Sequence, residues 1–479
     1  MNAAAVDVNW LVVSPALTLL ITAAIALLYG LGERDSRAGA GISLVGLAFA
    51  GILNLTITLN DVPGGLSGFN GRYLADGMAT AFNFVILAGL LLAILISWNY
   101  LRRSGDLEQP EYYPLMLLAA TGAMVMAAAG DVITMVLGLE IMSLAVYVLT
   151  AWRPGRRPAA RQSQEAGMKY FLLGATGSAI FIYGIALTYG ATGAFSYQAI
   201  AAAATGPDFA QPVLLAIGGL MLLVGLAFKA AIFPFHQWAP DAYTGAPTPV
   251  AAFMSVVVKT AAFAALLRMA AEFLPLASPA LFEIFAWLVG ITMVVGNFSA
   301  LTQNGIKRML AWSSVAHAGY LGLAVLSAGD AGISAATYYL LAYTLMTAGA
   351  FAVLARVTDA EDGGDTLQHL AGLGRRKPAL AFGLTVFMLS LGGIPPLAGF
   401  AGKFLVFSSA IAAGHTVLAV IGILTSAVAL FYYFRVVRYV YFEPSSEMPL
   451  PENRDRAGSL AVGLAAFGIV ILGAFPFLF

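Results

Sequence analysis

The chain has 479 residues, with 24 basic and 24 acidic side chains, 60% apolar residues and only 10% charged ones. Soluble domains carry about 25% charged residues, so a water-facing globule is excluded, and the zero net charge argues against a nucleic-acid partner. There is no cysteine, which excludes disulfides, thiolate zinc sites and cysteine-ligated iron–sulfur clusters within this chain.

One bilayer crossing takes about 20 consecutive apolar residues. Fourteen stretches qualify: 10–31, 38–60, 78–101, 112–129, 131–151, 166–190, 212–237, 248–271, 279–301, 309–327, 331–357, 378–412, 415–442 and 459–478. The first lacks a basic leader and a small-residue cleavage site, so it reads as a retained helix. The seventh is interrupted by Pro234, and the twelfth, too long for one straight crossing, by the GGIPPLAG run at Gly392–Gly399. Proline frees a backbone carbonyl, which a membrane helix tolerates only against protein or water. The breaks fall five spans apart, and an odd shift inverts orientation, so spans 4–8 and 9–13 are expected to be inverted five-helix repeats.

The expected fold is an all-α polytopic membrane protein of about fourteen transmembrane helices, with helices 7 and 12 broken. Its segments are a three-helix portion at 1–111, a first repeat at 112–271, a second at 272–442, and a loop with the last helix at 443–479. The longest connections, 152–165, 358–377 and 443–457, are short and charged, and 191–211 is expected to cap the outer face.

Lysine and arginine favour the cytoplasmic side. With the N-terminus outside, nineteen of the 24 basic residues fall in inner loops, from Arg34 and Arg37 through Arg153, Arg156, Arg157, Arg161 and Lys169 to Arg454 and Arg456. Outer loops receive only Arg72 and Arg268. The chain is therefore expected to be a multi-pass protein of the inner (plasma) membrane with both termini on the periplasmic or outer side.

Ionisable residues at mid-bilayer are costly and by default functional. Here they are Glu140 in span 5, Lys229 in span 7, Lys259 in span 8 and Lys403 in span 12, with His236 and His317 as candidate relays. The competing reading makes them structural ion pairs, helix–helix hydrogen bonds or snorkelling side chains. Snorkelling suits Arg435 and Arg438, near a helix end, but reaches poorly from Lys259 at the centre of its span. Paired histidines also invite a haem, which the Pro break before His236 and the serines beside His317 disfavour. Nothing matches a P-loop or a G-x-G-x-x-G turn: Gly402-Lys403-Phe404 lacks the upstream glycine and the Ser/Thr. No metal site is expected.

The runs EAGMKYFLLGATGSAIFIYGIALTYGATG, FKAAIFPFHQWAPDAYTGAPTPVAAFMSVVVKTAAFAALLRM, LTQNGIKRMLAWSSVAHAGYLGLA and LGGIPPLAGFAGKFLVF resemble subunit N of bacterial type-1 NADH–quinone oxidoreductase, respiratory complex I. The similarity spans the fourth to the thirteenth span; the first three and the last match mainly in hydropathy. The wider family includes subunits L and M, cation/proton antiporter subunits and membrane-bound hydrogenase subunits. The resemblance implies a proton-pumping translocase module without redox chemistry of its own. It implies that a Glu on span 5 (Glu140) pairs with a Lys on span 7 (Lys229), that a Lys on span 8 (Lys259) is the central relay, and that Lys403 leads outward. Lysine rather than glutamate at 403, and a chain ending directly after its last span, look less like M and L. The implied neighbours are subunits K and M, with NADH, FMN, iron–sulfur clusters and quinone bound by other chains. The rival readings are a subunit of a cation/proton antiporter, which the specific runs disfavour, and a membrane scaffold whose lysines merely pair, which the full Glu–Lys–Lys–Lys set disfavours.

Overall fold

The computed structural model describes residues 8–32, 36–60, 65–103, 107–327, 329–358, 365–446, 450 and 455–476. In chain order these form α1 (Trp10–Gly32), α2 (Ser36–Leu59), a short antiparallel hairpin of β1 (Leu66–Gly68) and β2 (Tyr73–Ala75), and α3 (Gly77–Arg103). Then come α4 (Tyr112–Ala127), α5 (Val132–Thr150), α6 (Pro158–Thr192), α7 (Tyr197–Ala204), α8 (Pro212–Ala230), α9 (Trp238–Gly245) and α10 (Thr248–Phe253). A π-helical turn at Met254–Val258 joins α10 to α11 (Lys259–Glu272), followed by α12 (Leu274–Ala277), α13 (Pro279–Leu301), α14 (Ile306–Leu326) and α15 (Asp330–Val357). A 3-10 turn at Leu367–Leu370 leads to α16 (Leu373–Arg376), α17 (Pro378–Gly392), α18 (Ala398–Ala412), α19 (Thr416–Phe442) and α20 (Arg456–Ala474).

Among the described residues twelve helices are long and apolar enough to cross a membrane, with α10 to α11 counted as one. The expected spans 4 and 12 fall short of that length: α4 has 16 residues, and the twelfth is split into α17 and α18 of 15 each. Span 6 starts earlier than hydropathy indicates, at Pro158, because the helix continues past its apolar stretch. Its polar first turns are stabilised by the Glu165–Lys169 pair at i,i+4, 2.7 Å apart.

The seventh span ends as a helix at Ala230 rather than running to 237. Pro234 has no N–H to offer and disfavours a helical residue before it, and Ala231 turns left-handed at φ 60°. The Ile232 N–H then bonds back to the Ala227 carbonyl at 2.9 Å, and the Trp238 indole N–H bonds the Phe228 carbonyl at 2.8 Å, stitching α9 to α8. The twelfth span closes in the same way. Gly393 lies at φ 84° and the Ile394 N–H bonds the Leu389 carbonyl at 3.1 Å. This six-to-one closure satisfies carbonyls that a helix end would otherwise orphan.

Burial sorts the helices into an axis and a rim. The run from Thr248 through Met269 is wholly buried, and α14 nearly so. The outward faces of α1, α19 and α20 expose large apolar side chains such as Leu28, Phe431 and Phe467, each about two-thirds exposed or more. An apolar rim of this size is the surface that lipid covers.

The charges also redistribute. Arg268, expected in an outer loop, is inside α11, 5% exposed, and its guanidinium forks onto the Asp76 carboxylate, with one bond at 3.0 Å. Arg72 approaches Asp131 at 3.8 Å. Arg435 donates to the Leu301 carbonyl at 3.0 Å and to that of Gln303, capping the C-terminus of α13. Arg34, Arg454 and both chain termini lie outside the described residues.

Candidate functional site

Of the four candidate relay residues Lys259 sits on the buried axis, Glu140, Lys229 and Lys403 sit on helices that also expose apolar faces, and the two breaks place two of the lysines. Lys229 is in the last turn of α8, 2% exposed. Its Nζ donates to the Tyr147 hydroxyl at 3.1 Å and lies 4.8 Å from the centre of that ring and 5.2 Å from that of Tyr170. Faces of this kind attract an ammonium, more strongly where water is excluded.

Glu140 is on α5, whose first turn is capped by the Asp131 carboxylate accepting from the Thr134 N–H at 2.5 Å. No ion pair within 4 Å joins Glu140 to Lys229 among the described residues; Glu140 Oε1 is buried without a hydrogen-bond partner. The carboxylate is nevertheless near enough for its charge to act on Lys229. The contact that the resemblance implies is thus open here, with Tyr147 holding the ammonium.

Lys259 opens α11 directly after the π-turn and is 2% exposed. Its Nζ donates to the Ser314 carbonyl on α14 and lies 5.5 Å from the Tyr343 ring centre. No acidic group pairs with it among the described residues, and a wholly buried helix leaves no lipid-facing route for snorkelling. Beside it the hydroxyls of Ser314 and Tyr343 are buried with no hydrogen bond of good geometry. Unsatisfied buried hydroxyls are costly unless water reaches them.

His317, one turn along α14 from Ser313 and Ser314, links α14 to α15 and α19. Its Nδ1 meets the Tyr339 hydroxyl at 2.7 Å and its Nε2 the Tyr433 hydroxyl at 3.2 Å, while Tyr433 also bonds Ser313. A neutral imidazole donates through one nitrogen and accepts through the other, so a tautomer exchange moves a proton from one hydroxyl side to the other. The charges of both Lys259 and Lys403 act on this ring.

Lys403, on α18 and 4% exposed, reaches back across the break. Its Nζ donates to the Leu391 carbonyl at 2.9 Å, the Gly392 carbonyl at 3.1 Å and the Ser426 hydroxyl at 2.7 Å. Those carbonyls belong to the interrupted end of α17. A Cβ at Gly393 would come within 3.1 Å of the lysine stem, and its φ of 84° already favours glycine. A cavity of about 320 Å³, lined by Lys403, Ser408, Ser426 and phenylalanines, opens beside the ammonium.

His236 follows the seventh-span break, stacked on Phe233 and tilted against Trp312, with Nδ1 buried and unpartnered. Among the described residues no hydrogen bond joins it to Lys229, Lys259 or Lys403. Sequence reasoning missed the hydroxyl partners Tyr147, Tyr339, Tyr433 and Ser426 and the ring contact of Tyr343, because a tyrosine inside an apolar span reads as core. Among the described residues no group of three His, Asp or Glu side chains is placed to hold a metal.

Two interrupted helices, each with a lysine beside the break and a third lysine on a buried helix between them, define an antiporter-like membrane subunit. Residues 129–429 match the family described as NADH:quinone oxidoreductase/Mrp antiporter, TM. Over 479 aligned residues the chain is 41% identical to NADH-quinone oxidoreductase subunit N 1 of Herpetosiphon aurantiacus, covering 99% of this chain and 96% of that one. It superposes on a chain of respiratory complex I from Thermus thermophilus with bound aureothin with a TM-score of 0.81, at 38% identity, covering 97% and 98% of the two chains. A chain of the Mrp complex from a Dietzia species shares the fold at a TM-score of 0.79, with 21% identity and coverages of 98% and 96%. The chain belongs to the subunit N family of NADH–quinone oxidoreductases.

Proposed function

We propose that this chain translocates protons in the membrane arm of an NADH–quinone oxidoreductase, driven by electron transfer from NADH to quinone in other subunits. Glu140, Lys229, Lys259 and Lys403 carry or control the proton, with His317 between the last two. One observation carries the reading: three lysines are each 4% exposed or less and hydrogen-bonded to neutral groups rather than carboxylates. A scaffold would pair its buried charges, whereas a relay leaves them free to change state. His236 joins the relay through its unpartnered Nδ1, near the seventh-span break.

The fold supports fourteen crossings if α4 makes one and α17 with α18 another. The matching closures at Ala231 and Gly393 support inverted repeats at 112–271 and 272–442, flanked by 1–111 and 443–479. FMN, iron–sulfur clusters, NADH and quinone would belong to other chains, with subunits K and M as neighbours in the inner membrane. The antiporter reading is weaker, since likeness to the Mrp chain at 21% identity extends to the fold alone, against 38% for the complex I chain.

Purification through a tag on this chain tests the reading. It is expected to yield a complex that oxidises NADH with quinone and carries FMN and iron–sulfur clusters. Cation/proton exchange activity with no NADH oxidation would overturn it in favour of the antiporter.

Orientation has its own check, since the chain has no native cysteine. A single cysteine replacing Arg157 is expected to be shielded from impermeant thiol reagents in intact cells, and one replacing Thr205 to be labelled. The opposite pattern would reverse the assignment of sides.

A further inference from the structure

The seat of Tyr147 is built by the neighbouring helix α6. Its ring stands edge-on to Tyr170 and Phe171 on α6, with centroids 4.7 and 5.6 Å away. The tip of the phenol lies over Gly174, where a Cβ would overlap both the hydroxyl and the ring. Glycine at 174 therefore makes room for this hydroxyl, which points to Lys229. A groove of about 650 Å³ between α5 and α6 reaches the same ring from the end that carries Arg153.

Glu140 precedes Tyr147 by seven residues on α5, two turns or about 10 Å along one helix face. Its charge acts on both Tyr147 and Lys229, and its buried Oε1 has no partner. One ammonium thus faces two acceptors on one helix, and a flexible four-carbon stem carries it. The neutral acceptor is occupied, and Oε1 of the charged one has no partner.

We propose that Tyr147 is a positioning residue that parks the Lys229 ammonium away from Glu140, so that Lys229 alternates between the phenol and the carboxylate during proton transfer. The proposal rests on Lys229 being a proton carrier. Held by Tyr147, the ammonium lacks the carboxylate's full attraction and is readier to release its proton. Held by Glu140, it retains that proton.

The test uses the intact complex in sealed vesicles. Tyr147→Phe keeps the ring and its contacts and removes only the hydroxyl, and Lys229→Met is made beside it. Tyr147→Phe is expected to assemble, to lower the protons moved per NADH, and to displace the pH profile of pumping by about one unit, the scale of a hydrogen bond to a charged group. A structure of this variant is expected to place Lys229 Nζ within about 4 Å of the Glu140 carboxylate, ion-pair distance. Gly174→Ala, which pushes the phenol off its seat from α6, is expected to move the profile in the same direction. An unchanged profile with Lys229 still against the ring would overturn the role given to Tyr147. Full pumping by Lys229→Met would instead overturn the relay reading beneath it, whatever Tyr147→Phe does.

Discussion

Lys259→Met and Lys259→Arg are both expected to leave the complex assembled and to stop proton movement through this chain. The methionine fills the space of the lysine stem with no proton to carry. The arginine keeps a fixed charge, because its guanidinium does not deprotonate in proteins. Lys259 donates to a backbone carbonyl and has no acidic partner among the described residues, so neither change leaves a counter-charge stranded. Removing a positioned proton-transfer group costs about 100-fold or more in the rate of that transfer. Proton uptake into sealed vesicles, measured beside NADH oxidation, separates pumping from electron transfer. Wild-type pumping by Lys259→Arg would remove this lysine from the relay.

The second large effect is expected at Glu140 and Lys229, compared as Glu140→Gln, Lys229→Met and the double variant. If the two were structural glue, each single change would leave a lone buried charge costing about 3–5 kcal/mol, and the double would recover both assembly and pumping. The structure points the other way. The two groups are not in contact, Lys229 is held by Tyr147, and Glu140 Oε1 has no partner. Both singles are therefore expected to assemble, and the double to assemble and still pump poorly. Full pumping by the assembled double variant would return the pair to a structural role.

The apolar lengths and the positions of proline were legible because bilayer thickness and the missing proline N–H act locally on the chain. They locate the long spans and both broken helices, and a charge inside such a span is visible as an exception. The partners of those charges are not local. Tyr339 and Tyr433 lie on different helices and meet at His317, and nothing in their sequence surroundings separates them from aromatic core residues such as Tyr112. The restart of the helix at Trp238 was hidden because residues 231–237 remain mostly apolar, so hydropathy runs on where the backbone has already turned. The early start of α6 was hidden for the opposite reason. Its first turns are polar, and a helix does not have to end where the lipid does.

The π-turn at Met254–Val258 has a consequence for the angular position of Lys259. Each residue of an α-helix rotates the side chain by about 100°, and a π-turn holds nearly one residue more in a turn than an α-helix does. The segment before Met254 and the segment from Lys259 onward are thus out of phase by most of one residue. The upstream side chains meet their neighbours in one phase, and the ammonium meets α14 in another. In an uninterrupted helix both faces would be tied to a single rotation, and aligning one would misdirect the other. The turn works as a mechanical offset, freeing the azimuth of one charge from the packing of the helix that carries it.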